Sequence, residues 1–576
     1  MELVTQSGAA ARLNRRKQAL PCHGRIDGGP KRYGCASIAS AEGWLVCGHT
    51  DVTSARFGGA QPPRRPTGTP TRNRKTEMVP KKAATATTSR ARLASIVKSA
   101  RDVMRKDAGL NGDLDRLPQL SWLLFLKAFD QCVEQAGPML DSDYRPAVEK
   151  PYRWQDWATN PSFSGTELKT FVDVELIPYL ASLTGAAGHA NDPRNVLSTI
   201  FQDVTNRMQS GTLLRDLVSL VDQIHFDSSD DIHTMAFVYE SILKEMRDAA
   251  GDSGEFYTPR PVSRFMVQQS FLNLGESILD PACGTGGFLV QAYEELIQLV
   301  ETDTQRRQLQ ASLRGIEKKP LPYLLASMNM LLHGIDAPRL VRDNALLRMR
   351  DATAADRVDV VLTNPPFGGE EERSVVEKFP KGYQTHETSW LFLHAILDQL
   401  KPRGRCAVVL PNGSLFASGE NSIGARTKQK LMKECNLHTI VRLPQGVFAP
   451  YTQIPSNVLF FEKGQVTQDV WFYEIPPPDG RRGYTKTKPM RFEELAPCVR
   501  WWGGKERHGR EEGPNAWRVS AADVAEAGYN LDVANPHAEE GRTHRTPQDL
   551  VDELLMTERE VLKLLEELRE EVSDAR

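Results

Sequence analysis

Asn364-Pro365-Pro366-Phe367 follows directly on the apolar run VDVVLT. The tetrapeptide is built to accept hydrogen bonds. Two prolines fix the backbone and remove its N–H donors, which leaves carbonyl oxygens pointing outward. Asn364 adds a side-chain carbonyl, and Phe367 adds a flat apolar face. The set suits a planar ligand that carries an amino group. The Asn364 oxygen and the Pro365 carbonyl can accept both N–H bonds of an exocyclic amine, and the ring can stack on Phe367. An isolated NPP is commonly a turn, but this one ends a buried-strand pattern downstream of a second chemical feature.

That feature is SILDPACGTGGFLV, residues 277–290. A buried strand ends at Asp280, and a glycine-rich turn opens a helix. Gly284, Gly286 and Gly287 permit tight backbone geometry and close approach of a ligand. Ligands of open α/β sheets bind at the carboxyl ends of strands, so this turn is a candidate pocket wall. It is neither GxGxxG nor a P-loop, because the spacing differs and the P-loop lysine is missing. The next strand, SLRGIE, ends in Glu317, which is placed to accept hydrogen bonds from a ribose diol.

The elements that must hold these residues follow from periodicity. Between about residues 254 and 475, short β-branched runs alternate with helical stretches. The runs are SILDPA, SLRGIE, PRLVRD, VDVVLTN, RCAVVLP, LHTIVRLP and SNVLFFE. Such alternation predicts an α/β domain with a mostly parallel sheet. Upstream, LASIVKSARDVMRK and LSWLLFLKAFDQCVEQ carry apolar residues at i, i+3, i+4 spacing, so residues 92–225 read as an all-α domain. Asp231–Ala250 reads as a further helix leading into the α/β domain, bounded at 226–480. Residues 481–545 read as irregular. The last segment, 546–576, reads as a helix capped by Thr546. Its 3-4 spaced seam is Val551, Leu554, Glu558, Val561, Leu565, Leu568 and Val572, suited to a partner helix.

A length of 576 residues fits about three to five domains. The net charge of −2 conceals a division: residues 1–92 hold 17 Lys/Arg against 5 Asp/Glu, and the remainder is net −14. A basic, Gly- and Pro-rich stretch without periodicity reads as a disordered tail over 1–91. Met78 is a credible start, with 1–77 an over-extension. Cys22, His23, Cys35, Cys47 and His49 lack the paired spacing of a zinc site. Eight sparse cysteines point to a reducing compartment. No window approaches the ~18 apolar residues of a membrane span, so a cytoplasmic protein is expected.

DPACGTGGF followed by NPPF resembles an S-adenosyl-L-methionine-dependent DNA adenine-N6 methyltransferase. GEFYTPRPV, residues 254–262, resembles the first cofactor-contacting loop of the M (modification) subunit of type I restriction-modification systems. The blocks at 387–416, 440–464 and 528–536 are similar to the same family. The likeness runs from about residue 92 to the C-terminus and does not reach 1–77. It implies a Rossmann-like class I methyltransferase domain, preceded by the all-α domain and followed by the C-terminal helix. It places Glu255, Phe256, Tyr257, Thr258, Pro259 and Arg260 around the methionine end of the cofactor. Asp280, Thr285, Gly286 and Gly287 follow at the glycine turn. Glu317 is placed on the ribose hydroxyls, and Asp343 and Asn344 at the cofactor adenine. Asn364 to Phe367 become the catalytic loop. Cys283 reads as packing.

The implied reaction needs no metal, because the sulfonium already activates the methyl group. The target adenine must leave the duplex to reach the loop. Residues 226–480 hold 26 basic and 32 acidic residues, whereas a protein reading DNA alone carries a basic stripe. Sequence recognition is therefore expected from another chain. In the family that chain is the specificity (S) subunit, joined by a restriction (R) subunit in the full complex, with two M subunits per S on double-stranded DNA. The acidic run Glu370-Glu371-Glu372 reads as a solvated flap. The alternatives are a stand-alone adenine methyltransferase, one attached to another phage-defence system, and a non-catalytic scaffold.

Overall fold

The computed structural model describes residues 90–135, 145–185, 192–226, 258–335, 338–416, 419, 422–449, 452–477, 481, 483–485, 487–537, 551, 554–559 and 561–562. The expected helix at 231–250, the residues Glu255, Phe256 and Tyr257, the cap Thr546 and the cysteines before Cys132 lie outside them.

The helical domain is built from amphipathic segments. Helices α1 (Arg90–Met104), α2 (Asp113–Phe129), α3 (Pro193–Phe201) and α4 (Gly211–Asp222) turn their apolar stripes inward. Trp122, Phe125, Phe201 and Leu217 are fully buried there. Ser210 caps α4 by accepting from the Leu213 N–H, and Asp192 caps α3 in the same way. The Asp222 carboxylate accepts from Lys127 Nζ and Trp154 Nε1, each at 2.8 Å. The start of α4 meets the short helix Gly165–Thr170 backbone to backbone: a Cβ added to Gly211 would fall 2.1 Å from the Gly165 carbonyl oxygen.

The α/β region is one nine-stranded sheet with strand order β3-β2-β1-β4-β5-β7-β6-β8-β9. The strands are β1 (Ile278–Asp280), β2 (Leu313–Glu317), β3 (Arg339–Arg342), β4 (Val358–Thr363), β5 (Leu400–Pro411), β6 (Cys435–Arg442), β7 (Ser456–Lys463), β8 (Asp469–Glu474) and β9 (Ala516–Ser520). Pairs β1–β2, β1–β4, β2–β3 and β4–β5 are parallel, and β7 runs antiparallel between β5 and β6. The seven apolar runs of the sequence are β1 to β7.

Residues 481–545 are less irregular than the sequence suggests. β9 pairs antiparallel with β8, and short helices cover Ala496–Trp501 and Ala521–Glu526. AWRVS has no strong strand signal of its own. It is held by the ladder to β8 and by Trp517 stacking on Phe472 at 5.3 Å between ring centroids.

Apolar cores form on both sheet faces. Helices α5 (Arg260–Gln269), α6 (Gly287–Ile297) and α7 (Pro320–Leu332) cover one, and α8 (Thr388–Gln399) and α9 (Ile423–Glu434) the other. α7 also packs against α2 and α3, which joins the helical domain to the sheet side that bears the glycine turn. No described helix is long and apolar enough to cross a membrane. Cys132, Cys283, Cys406, Cys435 and Cys498 form no disulfide among the described residues. The described residues of the last helix leave Val551, Leu554, Leu555, Met556, Val561 and Leu562 between 44% and 71% exposed.

Candidate active site

The carboxyl ends of β1, β2, β3 and β4 bring the described site residues to one edge. β1 ends at Asp280, and the chain turns through Cys283, Gly284 and Thr285 into α6. Gly284 and Gly286 have φ of 52° and 77°, which only glycine adopts freely. A side chain at Gly287 would meet nothing within 4 Å, so the start of α6 is open.

Glu317 ends β2 and faces this turn. Its carboxylate accepts from the Gly284 N–H at 3.0 Å and the Lys319 N–H at 2.8 Å. Each oxygen keeps a lone pair for a diol. Burial pushes the Glu317 carboxyl above its ordinary pKa, against the backbone donors. Asp343 follows β3, and its N–H donates to the Glu317 carbonyl at 3.0 Å. Asn344 caps the next helix, its Oδ1 accepting from the N–H groups of Leu346 and Leu347.

Asp280 is buried, and burial raises its pKa to about 7. One oxygen accepts from Thr363 Oγ1 at 2.8 Å and from the Ala282 N–H at 3.1 Å. Cys283 is buried, and its thiol is pushed well above the usual range by burial and by the Asp280 and Glu317 charges. A thiol so placed packs and does not attack.

Asn364 leaves the end of β4 beside Thr258. Its Nδ2 donates to Thr258 Oγ1 at 3.1 Å. Its Oδ1 is buried and has no hydrogen-bond partner among the described residues. A buried carbonyl oxygen without a donor costs stability, so its retention marks a place where a donor is expected from outside. Arg260 Nη1 donates to the Gly287 carbonyl at 3.3 Å, fastening the start of α5 to the glycine turn. Thr258 and Arg260 thus tie the segment entering α5 to both motifs. Pro259 lies between them as the residue before α5.

Three residues of this edge escaped the sequence reading, and a fourth was read differently. Thr363 sits within the quoted run VDVVLTN but has no motif of its own. Asn329, on α7, donates from Nδ2 to the Thr285 carbonyl at 2.9 Å and braces the turn from below. Phe448, between β6 and β7, meets Phe367 edge to face, with ring centroids 5.6 Å apart and planes at 79°. Glu371 departs from the expected solvated flap. Glu370 and Glu372 are exposed, but the Glu371 side chain is only 12% exposed and accepts from Asn344 Nδ2 at 3.2 Å.

A cavity of about 650 Å³ runs along β2 and β3 under Leu347 and Met349 and includes Asp343 in its lining, but not Glu317, Asp280 or Asn364. The chemistry is therefore marked by convergent polar groups at the carboxyl edge. The donor set fits a nucleoside-bearing cofactor: a carboxylate with spare lone pairs at the end of β2, an open glycine turn, and backbone-held residues at the end of β3. Among the described residues no group of His, Cys, Asp and Glu is arranged to hold a metal ion.

Comparison with known proteins matches residues 93–221 to the HsdM N-terminal domain family and residues 230–545 to the N-6 DNA Methylase family. The chain is 45% identical over 483 residues to the type I restriction enzyme EcoEI methylase subunit of Escherichia coli, covering 83% of this chain and 97% of that protein. It is 30% identical to the StySJI methylase subunit of Salmonella typhimurium, over 72% of this chain and 77% of that one. Among solved structures, a modification subunit of a putative type I restriction enzyme from Vibrio vulnificus superposes with a TM-score of 0.72 at 48% identity. That match covers 80% of this chain and all of the other.

Proposed function

Because the chain belongs to the type I restriction-modification methylase subunits, the HsdM family of N6-adenine DNA methylases, we propose the following division of labour among its residues. The protein is a modification subunit and methylates adenine N6 in DNA. The family is one of methyltransferases that draw on a methyl-donor cofactor, and the donor proposed here is S-adenosyl-L-methionine.

Glu317 takes the ribose hydroxyls on the lone pairs left by Gly284 and Lys319. Asp280, Thr285, Gly286 and Gly287 bound the middle of the cofactor. Asp343 and Asn344 flank its adenine, and Glu255 to Arg260 line its methionine end. When bound, S-adenosyl-L-methionine supplies an electrophilic methyl group.

The target adenine amine is a poor nucleophile, because its lone pair is delocalised into the ring. The observation that carries the reading is the buried, unpartnered Oδ1 of Asn364. Accepting one amine N–H there and the other at the Pro365 carbonyl favours a more tetrahedral nitrogen aimed at the methyl carbon. Pro366 fixes the backbone of the loop, and Phe367 stacks on the base that has left the duplex. Holding both reactants in line contributes much of the rate.

The protein works within a type I restriction-modification assembly. Its proposed partners are an S subunit, which reads the DNA, and an R subunit, with two M subunits per S. The acidic balance of residues 226–480 supports borrowed DNA recognition. The exposed seam residues Val551, Leu554 and Val561 support docking to a partner helix. The setting proposed is the cytoplasm, where the DNA is.

The test is co-expression with the products of neighbouring genes, copurification and methylome sequencing. The expected result is N6-methyladenine at one sequence motif, dependent on a copurifying specificity chain. Methylation by the isolated chain would remove the dependence on S, and no N6-methyladenine in the assembled complex would refute the reading.

A further inference from the structure

We propose that the Glu371 carboxylate is a latch, fastening the segment that follows the catalytic loop across the cofactor pocket. This rests on the cofactor reading given above and adds a positioning residue to it.

Only six residues separate Glu371 from Asn364, yet its side chain reaches two other strands. Its Oε2 accepts from Asn344 Nδ2 at 3.2 Å, just past β3, and lies 3.7 Å from Lys318 Nζ, just past β2. In the sheet, β4 is two strands from β2 and three from β3, with β1 between. At about 4.8 Å per strand, the segment spans roughly 10–15 Å of the carboxyl edge. Along the sheet it therefore crosses the position of β1, the strand that leads into the glycine turn.

The backbone of the segment is clasped on its other side. Thr388 Oγ1 donates to the Gly369 carbonyl at 2.7 Å. The Glu371 N–H donates to the His386 carbonyl at 3.1 Å, and His386 Nδ1 lies 2.9 Å from the Glu371 carbonyl oxygen. Glu370 and Glu387 form an antiparallel bridge. The strap is thus rigid where it meets α8, and Glu371 is the side chain that ties it to Lys318 and Asn344.

Asn344 is suited to be the fixed end. Its Oδ1 is occupied by the N–H groups of Leu346 and Leu347, which orients Nδ2 toward Glu371. Lys318 and Asn344 adjoin Glu317 and Asp343, so the latch closes on the groups assigned to the ribose and adenine of the cofactor. Closing it positions Asn364 and retains the cofactor. Opening it permits exchange.

The test compares Glu371→Ala and Glu371→Gln in the full chain, by stopped-flow dissociation of S-adenosyl-L-methionine and by steady-state methylation in the co-expressed complex. Removing a charge-assisted hydrogen bond should speed cofactor dissociation by about tenfold in Glu371→Ala. KM for the cofactor should rise and kcat fall, with KM for DNA unchanged. Glu371→Gln keeps an acceptor for Asn344 and loses the attraction to Lys318, so it should fall between wild type and Ala. A wild-type chain that does not bind the cofactor overturns the cofactor reading. A wild type that binds it, with dissociation unchanged in a folded Glu371→Ala, overturns the latch alone.

Discussion

Thr363 Oγ1 donates a 2.8 Å hydrogen bond to Asp280 Oδ1, joining the last residue of β4 to the last residue of β1. This one bond links the glycine turn to the residue immediately before Asn364-Pro365-Pro366-Phe367. Thr363→Val keeps the shape and removes the donor, leaving the buried carboxyl with Ala282 alone on that oxygen. The expected cost is about 1–3 kcal/mol, read as a lower midpoint of thermal unfolding. Cofactor affinity should fall with it, and an unchanged midpoint would show that the bond contributes nothing.

Asp280 itself gives a pH test. Its folded pKa of about 7 stands above the ordinary carboxyl value of 3.8 because of burial. The folded state then binds the proton more tightly than the unfolded chain. Its contribution is most favourable below the unfolded pKa and declines as pH rises through the window from about 4 to 7. Asp280→Asn keeps an acceptor for Thr363 and carries no charge. The variant should melt higher than wild type at pH 8, with the gap closing toward pH 4. A variant that melts lower at pH 8 would contradict the assignment of burial as the cause.

Asn364→Ala should lower kcat by about 10²–10³-fold or more, the scale of losing one preorganised transition-state hydrogen bond. Cofactor binding, measured by calorimetry on the same preparation, should stay nearly intact. Equal loss of both would sink the role assigned to Asn364.

Phe367 and Phe448 meet edge to face, so a base entering between Asn364 and Phe367 has an aromatic wall already braced. Phe367→Ala should weaken retention of the displaced base by about 1–3 kcal/mol. With 2-aminopurine at the target position in the complex, the variant should show reduced base-flipping fluorescence. Phe448→Ala should show a smaller loss, because it acts through Phe367. A larger effect at Phe448 would make it the contacting ring.

The gathering of these residues at one edge was legible because their motifs sit at strand ends. DPACGTGG and NPPF each follow an apolar run that could only be a buried strand. Glu317 was found the same way, whereas Asp343 came from the family resemblance. Thr363, Asn329 and Phe448 were not, because their value lies in contacts made between distant parts of the chain. Asn329 is a polar residue on an otherwise apolar helix, and nothing nearby in sequence says that it holds the Thr285 carbonyl. Glu371 was misread for a related reason. A run of three glutamates implies solvent, and only the fold shows that the middle one turns inward. β9 was missed because its strand character comes from β8. The ranges assigned to separate domains rest on composition and periodicity, and the packing of α7 against α2 and α3 shows how little of a join such signals reveal.

The last helix carries a consequence for how the cell must make this protein. Six large apolar side chains between Val551 and Leu562 stand 44–71% exposed. Copies produced in excess of their partners would present that surface to one another. Balanced synthesis of the subunits is then a matter of solubility as well as of regulation, and a surplus of this chain should be lost to self-association or proteolysis before it can methylate anything.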